Sequence, residues 1–332
     1  MIAVTGATGL LGSYIVRKLC ETNIAFVALK RNGSDTSLLN DLKEKITWRD
    51  ADITNPVSLE EAFADVTGVI HAAAYVSFNP RKAKTIFQIN TEGTRNVVNA
   101  CLVNNIKRLL HVSSVSALGR QKGQTILSEE NKWLGNSINS TYGESKYKAE
   151  LEVFRGQEEG LSTVIVNPSV ILGFSNWDKS SAQLFKYAWK QRPFYIDGSL
   201  NYVDVRDVAD ASLQLFNSTI EGERFIISAG SIPFKKFFDT VAQGFQKKGP
   251  PIKVNSTWAK VLAGIENGRT WLTGSEPIIT RETARLVDTF FQYDNQKVKK
   301  ALNYNFQTID NTLLWCCEHY NRQYGIKNQS CV

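Results

Sequence analysis

The chain lacks any run of roughly 20 apolar residues, the length that spans a bilayer, and its opening residues MIAVTG carry no basic segment followed by an apolar one. The expectation is a cytoplasmic protein with no membrane partner. Its five cysteines, Cys20, Cys101, Cys316, Cys317 and Cys331, form no paired framework and no Cys-x-x-Cys, which argues against structural disulfides and zinc. Only three histidines occur, His71, His111 and His319, far apart in sequence, so no metal site is expected. The formal charge is +7, yet no block of five or six Lys/Arg appears, which argues against a nucleic-acid partner. Such a field still favours capture of an anionic ligand. No Pro/Gly/Ser-rich linker, low-complexity tract or 20–50-residue repeat is visible, and 42% hydrophobic with 21% charged residues is an ordinary globular balance.

What is present is a series of short apolar, β-branched runs: IAVT (2–5), IAFVALK (24–30), GVIHAA (68–73), KRLLHVSS (107–114), LSTVIVNP (161–168) and RFIIS (224–228). They read as buried strands. Helical patterns over 10–21, 85–104 and 142–157 alternate with them, which implies a parallel sheet covered on both faces. After residue 168 the alternation loosens. The expected fold is α/β: a Rossmann-type doubly wound parallel sheet with a smaller, interleaved C-terminal substrate lobe. Residues 1–168 would form the dinucleotide-binding domain, which also receives roughly 201–229, and 169–200 with 230–332 would form the lobe.

Directly after the first strand comes TGATGLLG, with glycines at 6, 9 and 12. Gly6 would permit the tight turn, Gly9 a close approach of backbone to pyrophosphate, and Gly12 close packing of helix on strand. Thr8, Leu10 and Leu11 would present amides at the helix N-terminus to the anion. At the end of the second strand stand Lys30 and Arg31, where an acid would receive the ribose 2′-hydroxyl of NAD. A guanidinium suits a 2′-phosphate, so NADP(H) is favoured over NAD(H), although Asp35 lies nearby. Asp52 and Ile53, after the third strand, stand where they would flank an adenine; a plain loop acid explains Asp52 equally well.

Three Tyr-x-x-x-Lys pairs occur, Tyr14/Lys18, Tyr142/Lys146 and Tyr293/Lys297, where chance gives about one. Order separates them. With the glycine turn, HAAA (71–74), NTEGTRNVV (90–98), VSSVS (112–116), YGESK (142–146), NP (167–168) and NYVDVRDVADA (201–211) in sequence, the chain resembles the extended short-chain dehydrogenase/reductase family over nearly its whole length. The resemblance implies a sheet of about seven strands, often a homodimer built on two long helices, and a catalytic Ser, Tyr and Lys. These fall on Ser114, Tyr142 and Lys146, with Ser113 the close competitor and Gly119 favouring Ser114. It further implies cofactor contacts at Ala72, Ala73 and Ala74, at Pro168, Ser169 and Val170 near the nicotinamide, at Asn90, and at Tyr142 and Lys146 themselves.

Residues four apart share a helix face, so the Lys146 ammonium is expected to lower the phenol pKa of Tyr142 from its usual value near ~10. The segment SSVSALG lacks the Asp-Glu pair of the family's 4,6-dehydratases, and RNGSDTSLL (31–39) looks like the same stretch in reductases resembling dihydroflavonol 4-reductase. The leading expectation is thus an NADP(H)-dependent reductase or dehydrogenase acting on a small carbonyl/alcohol substrate. A nucleotide-sugar 4-epimerase or reductase, a hydroxysteroid dehydrogenase and a non-catalytic NADP-sensing protein are the alternatives. Tyr75, Phe78, Trp133, Phe174 and Trp177 are candidate walls of an apolar pocket, or equally core; Lys179 and Arg206 would serve a phosphosugar.

Overall fold

A computed structural model describes residues 1–77, 79–120, 123–134, 140–255 and 290–324. In chain order it begins β1 (Ile2–Thr5), α1 (Leu10–Glu21), β2 (Phe26–Lys30), β3 (Trp48–Asp50), α2 (Pro56–Ala62), β4 (Gly68–His71), α3 (Ala83–Phe87) and α4 (Gly93–Val103). There follow β5 (Arg108–Val112), β6 (Ile126–Leu127), α5 (Thr141–Glu158), β7 (Ser162–Pro168), β8 (Val170–Leu172), α6 (Ala182–Trp189), β9 (Phe194–Ile196) and β10 (Ser199–Asp204). The remaining elements are α7 (Val205–Asn217), β11 (Glu223–Ile227), β12 (Gly230–Pro233), α8 (Phe234–Gly244), β13 (Ile252–Val254), β14 (Gln292–Tyr293), α9 (Gln296–Leu302) and α10 (Ile309–Gln323).

The chain divides into two compact units. The first comprises Met1–Ser169, Val205–Ile227 and Asp294–Asn305. Its seven-stranded sheet runs β11-β7-β5-β4-β1-β2-β3 with every pairing parallel, a Rossmann-type doubly wound order that reverses between β1 and β4. At such a reversal the loops leaving neighbouring strands diverge and open a crevice at the carboxyl edge. One face of the sheet, through Ala3, Val69, Leu109 and Ile165, packs on Leu59 of α2 and Phe63 just after it, Val97 and Cys101 of α4, and Val153 of α5. The second unit by itself holds a three-stranded sheet, β12-β10-β8, and a two-stranded one, β13-β9.

The structure differs from the sequence expectation in three places, the first being that residues 201–204, expected in the dinucleotide-binding domain, belong to the second unit. Segments 170–200 and 230–295 show no clear strand partner in the sequence, yet five short strands form within residues 170–255, pairing with one another. Their three to six residues are too few to reveal an alternation. Asp294–Asn305, placed in the lobe from the sequence, belongs to the first unit, because Lys297 donates to Arg224 O (2.9 Å) and pairs with Glu223, while Tyr304 Oη donates to Asp207 (3.1 Å). Lys297 of the third Tyr/Lys pair is thereby a structural contact. Lys18 of the first pair meets surface acids, Glu21 and Asp210.

Beneath the carboxyl edge of the sheet lies a row of buried polar groups. The Thr5 hydroxyl accepts from Ala73 N (3.3 Å) and meets His71 Nδ1 at 2.7 Å; His71 Nε2 meets Thr94 Oγ1 at 3.0 Å, and that hydroxyl donates to Asn90 O (2.6 Å). Donors and acceptors balance when His71 carries its proton on Nε2. Burial holds this imidazole neutral, its pKa pushed down to about 3. The unfolded chain binds a proton near pH 6.5 that the fold excludes, so this share of stability is complete above pH 6.5 and is lost as pH falls toward 3.

Two stability measurements follow. Phe63→Ala, at a fully buried position, is expected to cost about 3–5 kcal/mol in chemical denaturation, whereas Val57→Ala, 62% exposed, stays within about 0.5 kcal/mol. Wild-type stability declines from pH 6.5 to 5, and His71→Gln shows a shallower decline by up to one proton, about 1.4 kcal/mol per pH unit. An unchanged slope contradicts the neutral His71.

Candidate active site

The turn from β1 to α1 is closed by backbone. Gly6 has φ +69°, and Gly9 N donates to Gly6 O at 2.9 Å. A Cβ on Gly12 would lie 2.0 Å from Gly6 O, and one on Gly6 would lie 2.5 Å from Ala73 N, so no side chain fits at either position. Gly9 is the N-cap of α1 without any capping side chain, and the helix has no acid in its first turn. The amides of Leu10, Leu11 and Gly12 have no acceptor within the helix, and the helix dipole adds positive potential there. Thr8 is half-buried beside them, and Ala72, Ala73 and Ala74 leave β4 next to Gly6.

Next to this turn, at the ends of β2 and β3, opens a cleft of about 540 Å³ lined by Arg31, Asn32, Gly33, Ser34, Asp52 and Ser58 among others. The two basic residues that the sequence put here divide. Lys30 is register-paired with Asp50 and its Nζ donates to that carboxylate at 2.7 Å, while Arg31 is exposed, its side chain making no hydrogen bond or ion pair among the described residues. Asp52 shapes the rim, its Oδ1 accepting from Thr54 N and Oγ1 (both 2.8 Å). Ile53 is wedged against Gly93, and its carbonyl accepts from Asn96 Nδ2 at 2.9 Å. Asn32, Ser34 and Ser58 were not singled out from sequence; the turn Arg31–Ser34, closed by Ser34 N to Arg31 O at 3.0 Å, is the local signal for the first two, while Ser58 reaches the rim from α2, its Oγ donating to Asp52 O at 3.2 Å.

The third group gathers on α5. Ser140 caps the helix by accepting from Gly143 N (2.8 Å), which puts Tyr142 in the first turn and Lys146 one turn later. Gly143 sits where a Cβ would be 2.6 Å from Ser116 O, so the helix start lies directly against the loop that leaves β5. In that loop the Ser114 hydroxyl accepts from Ser116 N (3.1 Å) and hydrogen-bonds the Tyr142 phenol. Ser113, the competing serine, is buried, and its hydroxyl has no partner among the described residues. Ser114, not Ser113, is thus the serine whose hydrogen bond acts on the Tyr142 phenol.

Lys146 is 1% exposed, with Nζ donating to Val112 O at 2.8 Å and lying 3.3 Å from His111 Nε2. Burial lowers its pKa to about 8, and Glu150 opposes that change. The phenol departs from the sequence expectation: burial pushes Tyr142 up to about 12, with the Ser114 hydrogen bond pulling the other way. The reason is that the Lys146 ammonium is directed to β5, not to the phenol oxygen.

The remaining predicted positions separate. Asn90, in a wide π-helical turn over Gln88–Glu92, spends its side chain on Tyr75 O (3.0 Å), Tyr75 N (2.7 Å) and Ser145 Oγ (3.0 Å), clamping the loop after β4 to α5. Pro168 ends β7 and Ser169 follows it, its buried hydroxyl lacking a partner among the described residues. Val170 opens β8 in the second unit. Trp177 packs edge-on to Trp189 and Tyr320, at 5.3 and 5.0 Å between ring centres, and Phe174 contacts Tyr320 at 5.0 Å, so both belong to the core of that unit. Trp133 stacks on Tyr147 at 4.8 Å, and Phe78 lies outside the described residues.

Residues 2–228 match the NAD dependent epimerase/dehydratase family. Over 98% of the chain it is 26% identical to 96% of a Synechocystis sp. protein named "Putative dihydroflavonol 4-reductase". It is also 27% identical to cinnamoyl-CoA reductase 1 of Petunia hybrida, over 68% of this chain and 72% of the relative. Among solved structures, that of gox2253 superposes with a TM-score of 0.83 at 29% identity, covering 98% of each chain. The UDP-glucose 4-epimerase of Thermotoga maritima shares the fold, with a TM-score of 0.80 at 18% identity over 97% of this chain and 99% of that one. The anion-ready turn, the strand-end cleft and the orphan hydroxyls fit a nicotinamide dinucleotide, and the chain belongs to the NAD dependent epimerase/dehydratase family, the extended short-chain dehydrogenases/reductases, whose members are oxidoreductases, dehydratases and epimerases.

Proposed function

We propose that the protein is an NADP(H)-dependent oxidoreductase that interconverts a carbonyl and a secondary alcohol on a small apolar or aromatic substrate. The observation that carries this reading is the hydrogen bond between Ser114 and Tyr142 with Lys146 one turn along the same helix. The glycine turn would hold the pyrophosphate, Arg31 the 2′-phosphate, and Tyr142 with Lys146 the nicotinamide ribose. Asp52 and Ile53 would flank the adenine, with Pro168, Ser169 and Val170 toward the nicotinamide. The cofactor supplies the hydride.

The protein's own part is proton handling and orientation. A phenol held near 12 is a proton donor at neutral pH, which suits the reducing direction. Ser114 fixes the phenol and adds a second hydroxyl where negative charge develops on the substrate oxygen. The Lys146 ammonium, one turn along the same helix and held toward β5, would orient the nicotinamide ribose beside the phenol. Relatives named as dihydroflavonol and cinnamoyl-CoA reductases support the aromatic substrate class. A cytoplasmic homodimer completes this reading; among the described residues four cysteines are unpaired, and no helix is long and apolar enough to cross a membrane.

NADPH consumption across aromatic aldehydes, ketones, steroids and nucleotide sugars identifies a substrate, and Tyr142→Phe is then expected to lower turnover about 100- to 10,000-fold while NADPH affinity changes little. Retained turnover sinks the assignment. Arg31→Leu is expected to weaken NADPH binding about 10- to 100-fold and leave NADH binding almost unchanged. A wild-type preference for NADH overturns the role given to Arg31.

A further inference from the structure

Among the described residues, both hydrogen bonds of the buried Lys146 ammonium run to β5, one to the Val112 carbonyl and one to the imidazole of the preceding residue. We infer that His111 is a positioning residue: its ring, protonated on Nδ1, accepts from Lys146 at Nε2 and holds the ammonium at the carboxyl end of β5. The inference rests on the role given to Lys146 above, and it adds a residue outside the motifs that carry the sequence resemblance.

Three features make His111 a fixed acceptor. Its ring packs against His71 with centres 5.1 Å apart and planes tilted by 39°, in the register pair His71↔His111 between β4 and β5. His71 is itself tied at both nitrogens, to Thr5 of β1 and Thr94 of α4, so the neighbour cannot turn away. His111 is fully buried beside a cation, and burial together with Lys146 holds it neutral, its pKa well below the usual value.

The chemistry of an imidazole matters here. A carboxylate at this position would neutralise Lys146, whereas a neutral ring nitrogen accepts a hydrogen bond and leaves the charge intact. An aliphatic side chain would release the ammonium toward Glu150, the anion one turn further along α5 whose field it already feels. Glu150 is otherwise engaged, with one oxygen accepting from Asn167 Nδ2 and the other 3.1 Å from Arg224 Nη1. Holding Lys146 away from Glu150 and toward the strand end is therefore the work of Val112 O and His111 together. With Lys146 charged, the inference calls for opposite tautomers on neighbouring rings, Nε2–H at His71 and Nδ1–H at His111, whose Nδ1 is buried with no hydrogen-bond partner among the described residues.

Long-range ¹H–¹⁵N NMR of the labelled wild-type chain, which has only three histidines, reads those tautomers directly. At pH 7 the expected spectrum shows His111 as Nδ1–H and His71 as Nε2–H; His111 as Nε2–H, or protonated, overturns the inference. In turnover assays His111→Leu is expected to lower kcat about tenfold or more with the carbonyl KM little changed, and His111→Gln, whose amide oxygen reaches the place of Nε2, to restore most of it. Equal loss in both variants, or none in His111→Leu, also overturns it. The tautomers are indifferent to turnover, so they separate failure of this inference from failure of the reductase reading.

Discussion

A backbone approach too close for a single methyl group governs the arrangement of the first unit. Gly12 lies against the Gly6 carbonyl and Gly6 against the Ala72–Ala73 peptide, so β1, the start of α1 and the exit of β4 are locked at the reversal of strand order. That closure aims the amides of α1 at one spot on the carboxyl edge and fixes where the other strand ends lie relative to it. It is reinforced from below, since Thr5 and His71 sit on the two strands being joined and hydrogen-bond each other. The same edge then carries Arg31 beyond β2, Asp52 beyond β3, Ser114 beyond β5 and Ser169 beyond β7.

The helix bearing Tyr142 and Lys146 is held by a different device. Its N-terminus is set by the Ser140 cap and by the contact of Gly143 with Ser116, and its body by Glu150, which reaches Asn167 of β7 and Arg224 of β11. Asn167 also donates to Ser114 O at 3.0 Å, so the serine loop and the helix share an anchor. Arg224 in turn donates to the carbonyls of Glu129 and Asn131. Such a buried charged network adds little net stability, since desolvation offsets attraction, but it admits few alternative arrangements. That suits a site whose geometry must hold to fractions of an ångström.

Much of this was legible in sequence because the informative signals were local. Helix α1 over residues 10–21 and α5 within a residue of 142–157 at each end follow from apolar periodicity bounded by Gly9 and Ser140, and the glycine spacing states the turn. What required the structure was long-range register. Lys30 and Arg31 are equivalent cations in sequence; only the pairing of β2 with β3 shows that Asp50 takes Lys30 and leaves Arg31 at the cleft. Likewise His71 and His111, forty residues apart, read as separate packing residues until parallel β4 and β5 set them side by side under Lys146. The Tyr142 phenol was misjudged for a related reason, because spacing on a helix gives a shared face but not the direction in which a buried ammonium points.

The central claim is that one dinucleotide lies along the carboxyl edge, from the Arg31 cleft across the glycine turn to Lys146. The most direct test is a crystal structure of the complex with NADPH. The account expects the pyrophosphate on the amides after Gly9, the adenosine 2′-phosphate on Arg31, and the nicotinamide ribose hydroxyls on Tyr142 Oη and Lys146 Nζ. A nicotinamide ribose bound away from Lys146, or a 2′-phosphate that does not meet Arg31, would contradict it.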